Sequence, residues 1–339
     1  MQKRGHIYRS ISAGIIGNMR KSYAIDTGGM IGTFFQTGER GMGSLGRIGM
    51  RFGRCGLLCL LCGLLLQPGL APAQEPVPGA EPAELQYPIS LAVAPDGSLV
   101  VVDLDLPGVW RLPAAGGAPE LIVRGATRFR QPLNRPRCVA VHADGTILVG
   151  DTATREIYAL PADGSGDPQP LTDGFLGVPN SLALDTEGNL YIADLESRFV
   201  YRVAVSGGQP ELYAKTNARG LHISPTGQLW AVTPTATPLV KLPADQPPEV
   251  VVGERKFEFP HNVVVLPDGS ALVSDGYAKT IWRVDPSGAV ESWLAGEPLQ
   301  NPVGLALHDG QLFIADPHAK QIFRVSLESK QVEPLVQAK

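Results

Sequence analysis

From residue 86 onward the apolar positions fall in short runs of four to six residues, each closed by Gly, Pro, Asp or Asn. Runs of that length, rich in Val, Ile, Leu and aromatic residues, predict strands and leave no room for helices. Residues 179–203, PNSLALDTEGNLYIADLESRFVYRV, show the grammar. A Pro leads into an apolar run, an acidic-Gly turn follows, and a second apolar run ends in Asp before a third. In this copy we expect strands at 181–185, 190–193, 199–204 and 211–214.

The same grammar occurs six times. The turn glycines are Gly97, Gly145, Gly188, Gly227, Gly269 and Gly310, so the steps are 48, 43, 39, 42 and 41 residues. Six residues after each glycine stand Asp103, Asp151, Asp194, Thr233, Asp275 and Asp316, so only the fourth copy lacks the acid. Further on come Val109-Trp110, Ile157-Tyr158, Val200-Tyr201, Leu239-Val240, Ile281-Trp282 and Ile322-Phe323. A period of this size marks a repeat architecture. Six four-stranded units, each unable to bury its apolar faces alone, close best as blades around an axis. We therefore expect an all-β chain, a six-bladed β-propeller of four-stranded blades over residues 86–339, with no strand exchanged between the first and last blades.

This repeat pattern resembles the NHL-repeat and SMP-30/gluconolactonase-like six-bladed propellers. The resemblance implies that the loop leading into each innermost strand and the loop after the second strand share one face. The residue eight before each turn glycine, or seven in the sixth copy, then lies nearest the axis: Ile89, Arg137, Asn180, Arg219, His261 and Val303. The resemblance also implies, for gluconolactonase-like enzymes, a Ca-type divalent cation held by Glu, Asn and Asp. Here only Asn180 matches, in a Pro-Asn-Ser triplet similar to the family's Pro-Asn-Gly. Amidating lyases look similar but hold zinc with several channel histidines, and zinc needs at least three protein ligands. His261 stands alone in the axial set, and two arginines replace the acids, so no metal ligand is assigned.

Charge sharpens this. Of 29 Lys and Arg and 33 Asp and Glu, nine and two fall within residues 1–73, leaving 20 and 31, a net of −11 for the remainder. Such a domain is a poor partner for nucleic acid, whose affinity rests on phosphate neutralisation. Yet Arg124, Arg128, Arg130, Arg135 and Arg137 crowd the longest interblade insertion, with Phe129 among them. Guanidinium forks suit carboxylates and phosphates. The ligand-binding set is therefore Arg137, Asn180, Arg219 and His261, with Arg135 and Arg128 at the mouth, and the partner is an anionic small molecule or an acidic protein segment. His261 is the candidate base if the protein is an enzyme. The competing structural readings are that the Asp column accepts backbone hydrogen bonds or pairs with the basic residue four on, that the channel arginines pair with Asp151 or Asp194, and that His222 is a hydrogen-bonded core residue. Cys138 reads as core filler, and no nucleophile elbow or Walker loop is present.

Upstream, Arg51 and Arg54 precede the apolar run 55–66, and Ala71-Pro72-Ala73 follows it. This is the pattern of a secretory signal peptide over 50–73, too short to span a bilayer, with cleavage expected after Ala73 and a periplasmic or secreted mature form. Three of the four cysteines fall within it. Residues 74–85, with Pro76, Pro78 and Pro82, read as an extended linker. Residues 1–49 are Gly-rich, carry no lasting periodicity and read as a disordered or mis-assigned leader, with translation expected to begin at Met50. Peptide mapping of the precursor checks this; recovery of peptides from residues 1–49 contradicts it.

Overall fold

The computed structural model describes residues 84–336. The segments read as leader and signal peptide, and nearly all of the linker, lie outside them. Strands account for every regular element. Blade 1 comprises β1 (Pro88–Val93), β2 (Leu99–Asp103), β3 (Gly108–Leu112) and β4 (Glu120–Arg124). Blade 2 comprises β5 (Pro136–Val141), β6 (Ile147–Asp151), β7 (Glu156–Leu160) and β8 (Gln169–Pro170). Blade 3 is β9 (Pro179–Leu184), β10 (Asn189–Asp194), β11 (Phe199–Ala204) and β12 (Glu211–Ala214). Blade 4 is β13 (Gly220–Ile223), β14 (Leu229–Val232), β15 (Leu239–Lys241) and β16 (Glu249–Val252). Blade 5 is β17 (Pro260–Val265), β18 (Ala271–Asp275), β19 (Thr280–Val284) and β20 (Val290–Ala295). Blade 6 is β21 (Gly304–His308), β22 (Gln311–Asp316), β23 (Gln321–Ser326) and β24 (Val332–Pro334).

Each blade is a four-stranded antiparallel meander of consecutive strands, so the protein is a six-bladed β-propeller. No strand crosses between the first and last blades. Blade 6 instead packs on blade 1 through Leu85, Leu91, Leu99, Val101, Phe313 and Leu335, and the Gly117 amide donates to the Leu335 carbonyl at 2.9 Å.

The second strands are buried on both faces, which explains why they read as unbroken apolar runs. Side chains alternate along a strand, so successive residues serve opposite seams. Leu190 and Ile192 of β10 pack toward blade 2, and Tyr191 and Ala193 toward blade 4. Fully burying one Val, Ile or Leu contributes about 1.5–3 kcal/mol, and every seam holds several.

The conserved turn chemistry of the repeat then fixes the loops. Asp103, Asp151, Asp194, Asp275 and Asp316 are at most 1% exposed. Each accepts backbone amides from two directions. Asp194, for example, takes the Gly177 and Val178 amides of its leading loop at 2.7 and 2.9 Å and the Glu196 amide of the following turn at 2.9 Å. The backbone reading of the column therefore holds, and the pairing with the residue four on does not. Arg155, Arg198, Lys279 and Lys320 occupy the left-handed turn position at φ between 50° and 63°, and Arg155 points away to Glu196.

Removing one such carboxylate strands buried amides, each of which costs on the order of 1–3 kcal/mol. For Asp194→Ala we expect a loss of about 3 kcal/mol, a fall in Tm of roughly 6–12 °C by the scaling for a domain of this size. Thermal or urea unfolding of the variant beside wild type measures it; an unchanged Tm contradicts the latch.

Candidate functional site

The six leading loops, five of them pinned by the Asp column, deliver one residue each to the axis. Ile89, Arg137, Asn180, Arg219, His261 and Val303 all line one cavity of about 160 Å³ at this end of the channel. Its polar arc comes from the consecutive blades 2 to 5, and its apolar arc from blades 6 and 1. Tyr87 and Asn301 complete the wall. These two belong to a column that lies two residues before the axial one, Tyr87, Arg135, Val178, Asn217, Phe259 and Asn301. The other four residues of that column do not line the cavity, so the offset alone does not single these two out.

Arg137 Nε donates to Asn180 Oδ1 at 2.5 Å, and Asn180 Nδ2 donates to the Arg219 carbonyl at 2.6 Å. Asn180 is thus committed at both ends of its amide and acts as a brace between two blades. Its carbonyl oxygen faces a guanidinium where the family resemblance implied a cation. Arg137 spends only Nε on this bond, which leaves its two terminal amino groups for a ligand. The Arg219 guanidinium lies over the Phe259 ring at 3.8 Å, a cation–π contact. Phe259 in turn stacks on Tyr277 with centroids 4.5 Å apart and meets the edge of His261 at 5.0 Å. Among the described residues neither arginine has a carboxylate within ion-pair distance. The reading that Asp151 or Asp194 would neutralise them is therefore corrected: those carboxylates face backbone amides.

Burial lowers the Arg137 and Arg219 pKa values from the usual guanidinium value, and Arg137 further lowers that of Arg219. His261 is pushed down to about 4, first by burial and then by the positive charge of Arg219 and Arg137. Its imidazole has no hydrogen-bond partner among the described residues, so at neutral pH it presents an uncharged, uncommitted ring. Gly276 makes room for it. A Cβ at that position would collide with Asn301 Oδ1 and come within 2.9 Å of His261 Nε2. Asn301 and His261 therefore both come up against Gly276, where a side chain would displace one or both of them.

Arg135 and Arg128 are exposed on the 124–137 insertion and do not line the cavity. Phe129, Phe175 and Tyr277 are exposed on the loops of this same face, Phe129 at 72% and Tyr277 at 69%. His222 faces the opposite end of the channel, in a cavity of about 300 Å³. Its imidazole has no hydrogen-bond partner among the described residues, which corrects its reading as a hydrogen-bonded core histidine; burial lowers its pKa to about 4. Cys138 is buried with its thiol pushed up to about 12 by desolvation, so it is core and no nucleophile.

A hard cation such as Ca²⁺ requires oxygen donors with carboxylates among them. No carboxylate lines the axial cavity, two guanidiniums do, and among the described residues no group of three His, Cys, Asp or Glu could hold a metal ion. The donor set does not fit the cation that the family resemblance implies.

The propeller has many counterparts of known structure. Virginiamycin B lyase from Staphylococcus aureus superposes with a TM-score of 0.54 at 14% identity, covering 75% of this chain and 86% of that one. A gluconolactonase from Xanthomonas campestris does so with a TM-score of 0.58 at 17% identity, covering 69% of this chain and 84% of that one. The fold is that of the NHL-repeat and SMP-30/gluconolactonase-like propellers. By sequence, the propeller is 25% identical over 234 residues to peptidyl-glycine alpha-amidating monooxygenase B of Xenopus laevis, covering 60% of this chain. The match spans 26% of that relative's length. No protein-family model matches the chain.

The two depressed histidines set an acid limit on the propeller. A histidine with a folded pKa near 4 and an unfolded value near 6.5 binds its proton in the unfolded chain first, so the stability it preserves above pH 6.5 is lost as pH falls toward 4. We expect stability measured by urea unfolding to decline from pH 6.5 to 4, and His261→Gln to flatten that decline by about one proton. An unchanged pH slope in the variant contradicts the neutral state of His261.

Proposed function

We propose that the channel mouth binds a small organic anion, a carboxylate or phosphate, in an exported protein. The observation that carries this reading is a pair of guanidiniums, Arg137 and Arg219, that line the axial cavity with no carboxylate to neutralise them. Arg137 offers two terminal amino groups from a braced position, so little ordering cost remains when a carboxylate docks. Asn301 and the neutral His261 supply uncharged polar contacts beside it. Ile89 and Val303 on the opposite arc favour a ligand with an apolar flank. The exposed aromatic and basic residues of the rim, Phe129, Phe175, Arg128 and Arg135, support steering of an anion toward the mouth in a domain otherwise strongly acidic. An acidic protein segment meets the same chemistry. The apolar run at 55–66 with its basic flank supports export to a periplasm or the medium.

A second reading, a gluconolactonase-like lactone hydrolase, draws support from His261. Its imidazole is neutral and uncommitted, so it is free to accept a proton from a water molecule. Water activated there would attack a lactone carbonyl, with the guanidiniums next to the developing oxyanion. In its metal-dependent form this reading lacks a carboxylate donor set on the axis.

Isothermal calorimetry with a panel of sugar acids and sugar phosphates tests the first reading. We expect binding that weakens with salt and falls by about tenfold or more in each of Arg137→Ala and Arg219→Ala, the size of a lost charge-assisted hydrogen bond. Affinity unchanged in the double variant removes this site from consideration. Turnover of aldonolactones by wild type, lost in His261→Gln, would instead favour the hydrolase.

A further inference from the structure

Five blades tie their leading loop to a buried carboxylate, and blade 4 does not. In blades 1, 2, 3 and 5 the amides that face the carboxylate lie 17 and 16 residues before it, as with Glu258 and Phe259 before Asp275 at 2.7 and 2.9 Å. The corresponding blade 4 residues are Thr216 and Asn217, whose amides have no acceptor among the described residues. Thr216 is 8% exposed, and its Oγ1 is buried without a partner. Buried polar groups are nearly always satisfied, so the buried Thr216 hydroxyl, with two unpaired amides beside it, calls for an explanation.

Thr233 does not supply it. Its hydroxyl is engaged within its own turn, with Thr235 Oγ1 at 2.7 Å and the Thr237 carbonyl at 2.9 Å. The shorter side chain leaves space instead. A cavity of about 120 Å³ opens beside it, lined by Thr233, Thr235, Arg219 and Arg255. A single water needs about 10–15 Å³ on this measure, so an ion of several heavy atoms has room. Neither arginine has a carboxylate at ion-pair distance among the described residues, and the one acidic residue on the wall, Glu258, is exposed. Two guanidiniums without a carboxylate partner therefore line a cavity at the position where the repeat has deleted a negative charge, next to the loop that holds the unpartnered Thr216 hydroxyl.

We infer that blade 4 binds a small oxyanion in this cavity, held by Arg219 and Arg255 beside Thr233, where the other blades carry a negative charge of their own. The ion would secure the loop that carries Arg219 to the axial cavity, so its occupancy would stiffen one wall of the channel mouth. The site shares Arg219 with the axial cavity but stands without Arg137, so failure of either proposal is separable from failure of the other.

Inorganic phosphate is the probe, titrated by calorimetry and by its effect on Tm. We expect phosphate to raise the Tm of wild type, as any ligand of the folded state does. Thr233→Asp restores the internal carboxylate; it should melt higher than wild type without phosphate and bind phosphate at least about tenfold more weakly. Arg255→Ala alters an exposed residue, so it carries the test even if Thr233→Asp fails to fold, and it should lose a similar factor. Inorganic phosphate also suits the axial cavity, so the comparison is repeated in the Arg137→Ala background, where the rise in Tm with phosphate should remain and should be lost on adding Arg255→Ala. Phosphate binding that is absent from wild type, or equal in wild type, Thr233→Asp and Arg255→Ala, overturns the proposal. Loss in Arg137→Ala with retention in Arg255→Ala places the ion on the axis only and overturns it as well.

Discussion

A buried carboxylate that accepts amides from two loops at once is the interaction on which this propeller depends. At the end of each second strand except in blade 4, an aspartate with almost no exposure gathers the amides of the loop that leads into its own blade and of the turn that follows it. The arrangement satisfies donors that would otherwise be orphaned at the crowded axis, and a negative charge with several donors is well compensated for its burial. It also fixes where each leading loop can run. Since the next residues of that loop line the channel, the latch that holds the ring together also aims the functional side chains.

This coupling explains the electrostatic character of the channel mouth. The aspartates that stand nearest to Arg137 and Arg219 are turned toward backbone and so do not pair with them. Asn180, a neutral brace, bonds to Arg137 instead. Blade 4, which contributes Arg219, goes further by carrying Thr233 in place of the acid. A protein with a net of −11 outside residues 1–73 thus keeps a local excess of positive charge at its axis. Cation–π contact with Phe259 holds the Arg219 guanidinium without neutralising it.

Much of this was legible in the chain. The strand positions follow from turn glycines with φ near 80° and from apolar runs of fixed length, both of which are local properties. In blade 3 the expected strands differ from the observed ones by two residues at most: β9 starts at Pro179, which pairs with Asp194, and Asn180 stands at a bulge between Pro179 and Ser181. The six axial residues were found because a repeat makes equivalent positions equivalent in space. Gly276, Asn301 and Tyr87 were missed, since their role comes from approach between different blades. The pairing of Asp with the basic residue four on failed because the turn places that residue in a left-handed conformation, which aims its side chain outward.

The sequence therefore determined the number of blades, the order of the strands and the column of equivalent residues with the sign of its charge, because periodicity and turn chemistry are written along the chain. The placement of that column at the axis was what the family resemblance implied. Tertiary structure decided the rest: that Asn180 braces Arg137, that Arg219 rests on Phe259, that Arg128 and Arg135 stay outside the cavity, and that His261 is neutral. Each of these depends on distances between side chains of different blades or on burial within the closed ring, and neither quantity exists until the ring has closed.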